Sequence, residues 1–170
     1  MAIDITLSGA NANSYVDIAF ADDFFLGRLY SELWIDANEA KKEQALRTAT
    51  RRLDMEKYYG DKAVDTQALA YPRVGYGYLD GILIDGTIPK QIKEAQCELA
   101  IHLLETNMSK VGVNDGKVKK ESLDGMSTEY FYDKNDNVAQ SNDKLPPFVI
   151  SLLADLSKTV SSTGFITISR

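Results

Sequence analysis

In the stretch Ile88 to Leu104, IPKQIKEAQCELAIHLL, apolar residues recur on two sides of a helix. Ile88, Ile92, Ala95, Leu99 and Leu103 keep the spacing of one face, while Cys97, Ile101 and Leu104 form a second stripe nearly opposite. Pro89 suits the first turn and Thr87 the cap. A helix that is apolar on two sides needs neighbours on both, so this segment is predicted to be the central element of a helical domain. The polar wedge of Gln91, Glu94, Glu98 and Glu105 reads as a solvated edge.

The same periodicity places three further helices. Ile3 to Leu7 alternates briefly like a strand, and Ser8 to Ser14 reads as a mobile arm or turn. A first helix follows, capped by Ser14 or Asp17, with Ile18, Ala21, Phe25 and Leu29 as its stripe and Phe20 and Phe24 beside it. After a tight segment holding Trp34, Asp36 or Asn38 caps a second helix running to about Lys57, with Leu46, Ala49 and Leu53 facing the core. Its other face carries Glu43, Arg47, Arg51 and Asp54, and reads either as a self-paired solvated face or as a nucleic-acid stripe. From Tyr58 to Gly86 the pattern lapses into Gly, Tyr and Asp, a stretch long enough to be functional or to hold short strands, with a small hairpin or turn pair at Leu79 to Asp85.

Beyond the central helix, Lys117 to Tyr132 reads as two strands joined at Asp124-Gly125. Asp133 to Lys144 has little to bury, and its DKNDN start resembles a calcium loop but lacks the glycine and glutamate such a loop needs, with Val138 and Lys144 in their places. Pro146 and Pro147 open a last helix with Val149, Leu152, Leu153 and Leu156 on one face. The end, KTVSSTGFITISR, reads as a linker finished by an apolar tip, either a grip on another protein or a terminal strand. The expected fold is therefore mainly α: a small bundle of about four helices around a central helix (about 88–105), with a β-hairpin (about 117–132) and an extended C-terminal tail. Residues 1–157 are expected to form the domain and 158–170 the tail.

Composition narrows the function classes. With 170 residues, 44% apolar and 26% charged, the chain has the balance of a soluble globular domain, and its net charge of -6 argues against a whole surface devoted to phosphate. The single cysteine excludes an intrachain disulfide and a thiol zinc cluster, and Cys97 sits on an apolar stripe as an inert thiol would. The N-terminus lacks the marks of a secretion signal and no segment has the length and apolarity of a membrane span, so a cytoplasm-like compartment is expected.

Candidate chemistry is sparse. His102, the sole histidine, lies at the rim of an apolar stripe and reads as structural. Asp22-Asp23 and Glu94/Glu98 are paired carboxylates by position only, and no phosphate loop is present. No enzyme activity, cofactor or metal site is expected. GYGYL at Gly75 to Leu79 is similar to the aromatic strand on which RNA-recognition modules stack bases, but Arg73 stands one place too early and Gly81 occupies the last aromatic position.

Four blocks together carry a resemblance: ANSYV at Ala12 to Val16, ATRRLD at Ala49 to Asp54, QALAYPR at Gln67 to Arg73, and IPKQIKEAQCELA at Ile88 to Ala100. They resemble the head-tail connector, or adaptor, proteins of tailed bacteriophages, a group often labelled DnaT-like single-stranded-DNA-binding proteins. The match covers roughly the first two thirds of the chain. Tyr71 stands where a tryptophan is common in that group.

The resemblance implies a structural subunit of a ring, usually of twelve copies, beneath the portal protein in the virion neck. It would bind portal and a tail or stopper protein, and DNA would pass through its channel. On that reading Tyr130, Phe131, Tyr76 and Tyr78 are expected at subunit contacts, and Phe165, Ile166, Ile168 and Arg170 at the portal. The alternative takes the label at its word: the protein binds single-stranded DNA through Arg47, Arg51, Arg73 and the tyrosines Tyr76 and Tyr78.

Overall fold

The structure is a computed structural model that describes residues 2–76, 83–105, 118–123, 126–131 and 145–158. Those residues form five helices, α1 (Ile18–Leu26), α2 (Glu32–Ile35), α3 (Glu39–Leu53), α4 (Lys90–Glu105) and α5 (Pro147–Leu153). Between α3 and α4 run three short strands, β1 (Asp61–Lys62), β2 (Arg73–Tyr76) and β3 (Leu83–Asp85), and after α4 come β4 (Val118–Leu123) and β5 (Met126–Phe131). The chain divides into two units, Met1–Glu105 with Pro146–Arg170, and Thr106–Leu145.

In the first unit α4 is central, as its two apolar faces require. It packs against α1, α2, α3 and α5, and buries Ile92, Ala95, Cys97, Leu99, Ala100 and Ile101. Cys97 is fully enclosed, and burial pushes its thiol up to about 12, with the charges of Glu98 and Glu94 adding to the effect. Asp17 caps α1 by accepting from the Phe20 amide at 2.8 Å, and Asn38 caps α3 by accepting from the Lys41 amide at 2.9 Å. Arg51 and Arg52 in the last turn of α3 sit where the helix dipole favours cations. The helix ends at Leu53, short of the expected Lys57.

The stripe expected for the first helix is cut short at its far end. Gly27 closes α1, so Leu29 leaves the buried face and is 80% exposed, as is Leu26. Arg28 holds that corner with a bidentate pair to Glu98 of α4, both contacts at 2.8 Å, and donates to the carbonyls of Leu29 and Tyr30. Trp34, the main apolar anchor of α2, lies 4.8 Å from the Phe25 ring and donates its indole N–H to Asp22.

The loop between α3 and α4 holds an antiparallel sheet in the order β1-β2-β3, with Lys62 opposite Arg73 and Gly75 opposite Ile84. Gly75 has a φ of +119°, and a Cβ there would lie 3.4 Å from the Cα of Gly60, so the strand approach favours glycine. After α5 the chain returns to this region: the Lys158 amide donates to Lys57 O at 2.7 Å and the Tyr59 amide to Leu156 O at 3.1 Å.

In the second unit β4 and β5 form the expected hairpin, antiparallel from Val118 opposite Phe131 to Leu123 opposite Met126. Asp133 to Lys144 and the tail from residue 159 onward lie outside the described residues. No helix among the described residues is long and apolar enough to cross a membrane.

Candidate functional site

The outer face of α3 forms one wall of a groove of about 490 Å³, a volume within the range of about 300–1,000 Å³ usual for ligand sites. Gln44, Arg47, Thr48, Arg51 and Asp54 line it from α3 and its C-cap, and Ala12, Asn13, Ala68 and Leu69 line it from the other side. The far wall comes from two segments without regular structure, which specific hydrogen bonds hold in place. Asn13 accepts from the Asp4 amide through its side chain and donates its own amide to Asp4 O, at 3.0 and 2.9 Å. The Ala68 amide donates to Gly9 O at 3.1 Å. Of the two readings of Ser8 to Ser14, a mobile arm or a turn, the structure shows turns pinned by these bonds, and Ile3 to Leu7 forms no strand.

Gln96 fastens this wall to the core. Its side-chain oxygen accepts from the Tyr15 amide at 3.0 Å, and its nitrogen donates to Ser14 Oγ at 2.7 Å and to Leu46 O on α3 at 3.1 Å. A wholly buried amide can be retained only with its polar atoms matched, and these three partners match both ends.

Two cations and one carboxylate set the groove's electrostatics. Arg47 reaches Glu43 at 3.7 Å, one turn back, as the self-paired reading expects. Arg51 is exposed and makes no ion pair among the described residues. The Asp54 Oδ1 accepts from the Tyr15 hydroxyl and from the Ala70 amide, the latter at 3.3 Å. The Tyr15 hydroxyl in turn accepts from the Tyr71 amide at 3.3 Å. Burial pushes the Asp54 carboxyl above its ordinary range, against the two hydrogen bonds and the charge of Lys62. Burial and the charge of Asp54 likewise raise the Tyr15 hydroxyl.

Among the residues expected for DNA binding, the structure brings Arg47 and Arg51 together and separates Arg73. The Arg73 guanidinium points inward, donating to Tyr59 O at 2.7 Å, to Ala70 O at 3.2 Å and to Gly60 O, so it braces the loop. Tyr76 ends β2, and Tyr78 lies outside the described residues. Tyr130 and Phe131 lie on β5 opposite Lys119 and Val118. Phe165, Ile166, Ile168 and Arg170 lie outside the described residues. His102 packs edge-on against Phe148, with ring centres 6.0 Å apart. Among the described residues no cluster of three His, Cys, Asp or Glu side chains is placed to hold a metal ion.

Comparison with known families adds one match. The model of the family described as "Putative DnaT-like ssDNA binding protein" matches residues 1–170. The chain belongs to this family. Neither a curated protein nor a solved structure matches it. The DnaT-like assignment corrects the connector reading of the four sequence blocks: the family that spans the chain is described by single-stranded DNA, and nothing supports portal, tail or neck partners. The ring of twelve and the portal-binding role of the tail fall with that reading. What stands is the alternative carried by the same label, with its residues revised. In this DnaT-like protein Arg47 and Arg51 share a groove with Asp54, on the face that reads from sequence either as self-paired or as a nucleic-acid stripe.

Proposed function

We propose that the protein binds single-stranded DNA along the groove beside α3, as a binding module rather than an enzyme. The observation that carries this reading is the placement of Arg47 and Arg51 on one rim of the groove. Four residues apart on a helix, they stand ~6 Å apart along its axis, of the order of the step between neighbouring phosphates of an extended strand. Thr48, Gln44 and Asn13 add neutral hydrogen-bonding groups, and the exposed Ala68 adds a small apolar surface beside the buried Ala12 and Leu69. A net charge of -6 is compatible with this, because binding needs cations only along the track of the strand.

The test is fluorescence anisotropy of a labelled oligothymidine titrated with protein across a salt series. Affinity is expected to fall linearly on a log-log plot. Each arginine replaced by alanine should reduce the slope by about 0.7, and the double variant R47A/R51A should bind about tenfold more weakly or worse. Undiminished binding by the folded double variant would move the site elsewhere, and no salt-sensitive binding by the wild type would end the proposal.

A further inference from the structure

The bridge between the segments that follow α3 and α5 carries charge outside the groove. Tyr58 and Ser157 pair there in antiparallel register, with the Tyr59 amide donating to Leu156 O and the Lys158 amide to Lys57 O. Both bridge residues are buried, and Tyr58 donates its hydroxyl to Leu53 O at 2.9 Å. Side chains alternate across an extended backbone, so Lys57 and Tyr59 on one segment share the outer face with Leu156 and Lys158 on the other. The register sets Lys57 opposite Lys158, and both are exposed. Like charges in that position oppose folding. No carboxylate pairs with either lysine among the described residues, although Glu56 and Asp155 directly precede the two segments. Lys158 is instead drawn over the Tyr59 ring, its Nζ 5.6 Å from the centroid.

This pair of lysines is tied to the groove. Arg73 donates to Tyr59 O, Gly60 O and Ala70 O, and so fastens the segment after α3 to the residue beside Leu69 of the groove wall. Lys62 of β1 donates to Gln67 O at 3.1 Å, next to Ala68 of the same wall, and its charge is felt at Asp54. Lys57 follows Arg51 by six residues, a span of at most ~20 Å even for a fully extended chain. A strand lying along Arg47 and Arg51 thus meets the bridge within about three or four further steps of the ~6 Å that separates those arginines.

We infer that Lys57 and Lys158 form a clamp for a backbone phosphate, a second contact that carries single-stranded DNA past the end of the groove. This rests on the single-stranded DNA reading and adds to it the side on which the strand leaves and the length it must have. A phosphate between two ammonium groups offsets the repulsion that the register imposes on them. Each lysine meets it as a point charge, with no demand on the identity of the base. Tyr59 is a positioning residue: it holds Lys158 on the outer face beside Lys57, and so reduces the freedom that a long side chain loses on binding. Lys62, beside the groove wall, is a further cation on that side.

The experiment compares oligothymidines of 4 and 12 nucleotides by fluorescence anisotropy across a salt series, bound by the wild type and by K57A/K158A. The short strand fits the groove alone, whereas the long one reaches the clamp. The double variant should bind the short strand within about twofold of wild type and the long strand about fivefold more weakly or worse, with a salt slope on the long strand lower by about 0.7. Tyr59→Leu should weaken the long strand in part. Lys158→Glu separates binding from stability: it sets an acid opposite Lys57, so its Tm should hold or rise while the long strand binds more weakly still. Equal losses on both strands, or a folded K57A/K158A that binds the long strand as tightly as wild type, would overturn the clamp while leaving the groove's binding, and its dependence on Arg47 and Arg51, intact. A fall in Tm for Lys158→Glu would show that the lysine serves the fold, and would likewise overturn it. Failure of the wild type to bind either strand would overturn both readings.

Discussion

Tyr71 is 1% exposed and its hydroxyl has no hydrogen-bond partner among the described residues. Its ring earns its place by packing, edge-on to Tyr58 at 5.0 Å and to Tyr15 at 6.5 Å, while burial pushes the hydroxyl up to about 12. An unpaired buried hydroxyl carries a desolvation cost of about 1–3 kcal/mol, so Tyr71→Phe should leave stability unchanged or raise it by about 1 kcal/mol in urea denaturation. A clear loss would mean that the hydroxyl has a partner. Asp54 gives a second prediction at this scale. Its folded pKa is raised above the ordinary 3.8, so the native state holds the proton more tightly than the unfolded chain. The stability associated with that proton is full below the unfolded value and lost as pH rises through the folded one. D54N should therefore be more stable than wild type near neutrality, with the gap closing on acidification through the folded pKa. Unfolding curves of both proteins across that range check this, and a gap that widens toward acid would contradict it.

Between elements, the decisive link is Gln96. Replacing it with leucine leaves the Tyr15 amide without its acceptor in a sealed interior and removes a donor to Ser14 Oγ and one to Leu46 O, which keeps the Thr50 hydroxyl. Q96L should lose about 2–4 kcal/mol, read by chemical denaturation, with the N-terminal segment gaining amide exchange before the helices do. Nothing in the local pattern marks this residue. Leu46, Ala49 and Leu53, or Ile92, Ala95 and Leu99, repeat at helical spacing and so were legible along the chain, as was the pairing of β4 with β5. Gln96 sits among them as a polar letter, and two of its partners, Ser14 and Tyr15, stand 82 and 81 residues away. Asp54 was seen for the same reason only as a neighbour of Arg51, because Tyr15, its true partner, lies 39 residues back. Short strands were expected somewhere between Tyr58 and Gly86, but the bounds of β1, β2 and β3 were not legible, because strands of two to four residues are too short to show alternation. Leu29 went the other way: the spacing continued past Gly27, but the helix did not.

For the molecule as a whole, groove and fold are one equilibrium. The groove's walls come from residues 12–13, 44–54 and 68–69, and no single stretch contains both its cations and its apolar side. A peptide of α3 alone would carry Arg47 and Arg51 with the same charge, but at 15 residues it would be a marginal helix in water with no cavity beside it. DNA that prefers the assembled groove must therefore hold the three stretches together. An oligonucleotide at one hundred times its Kd should add about 2.7 kcal/mol, a rise of roughly 5–10 °C in Tm by calorimetry, and R47A/R51A should cut that rise sharply at the same concentration. Any injury that loosens the pinned arm, however far from the arginines, will then register first as a loss of grip on DNA, so that the affinity of the protein serves as a gauge of its own integrity.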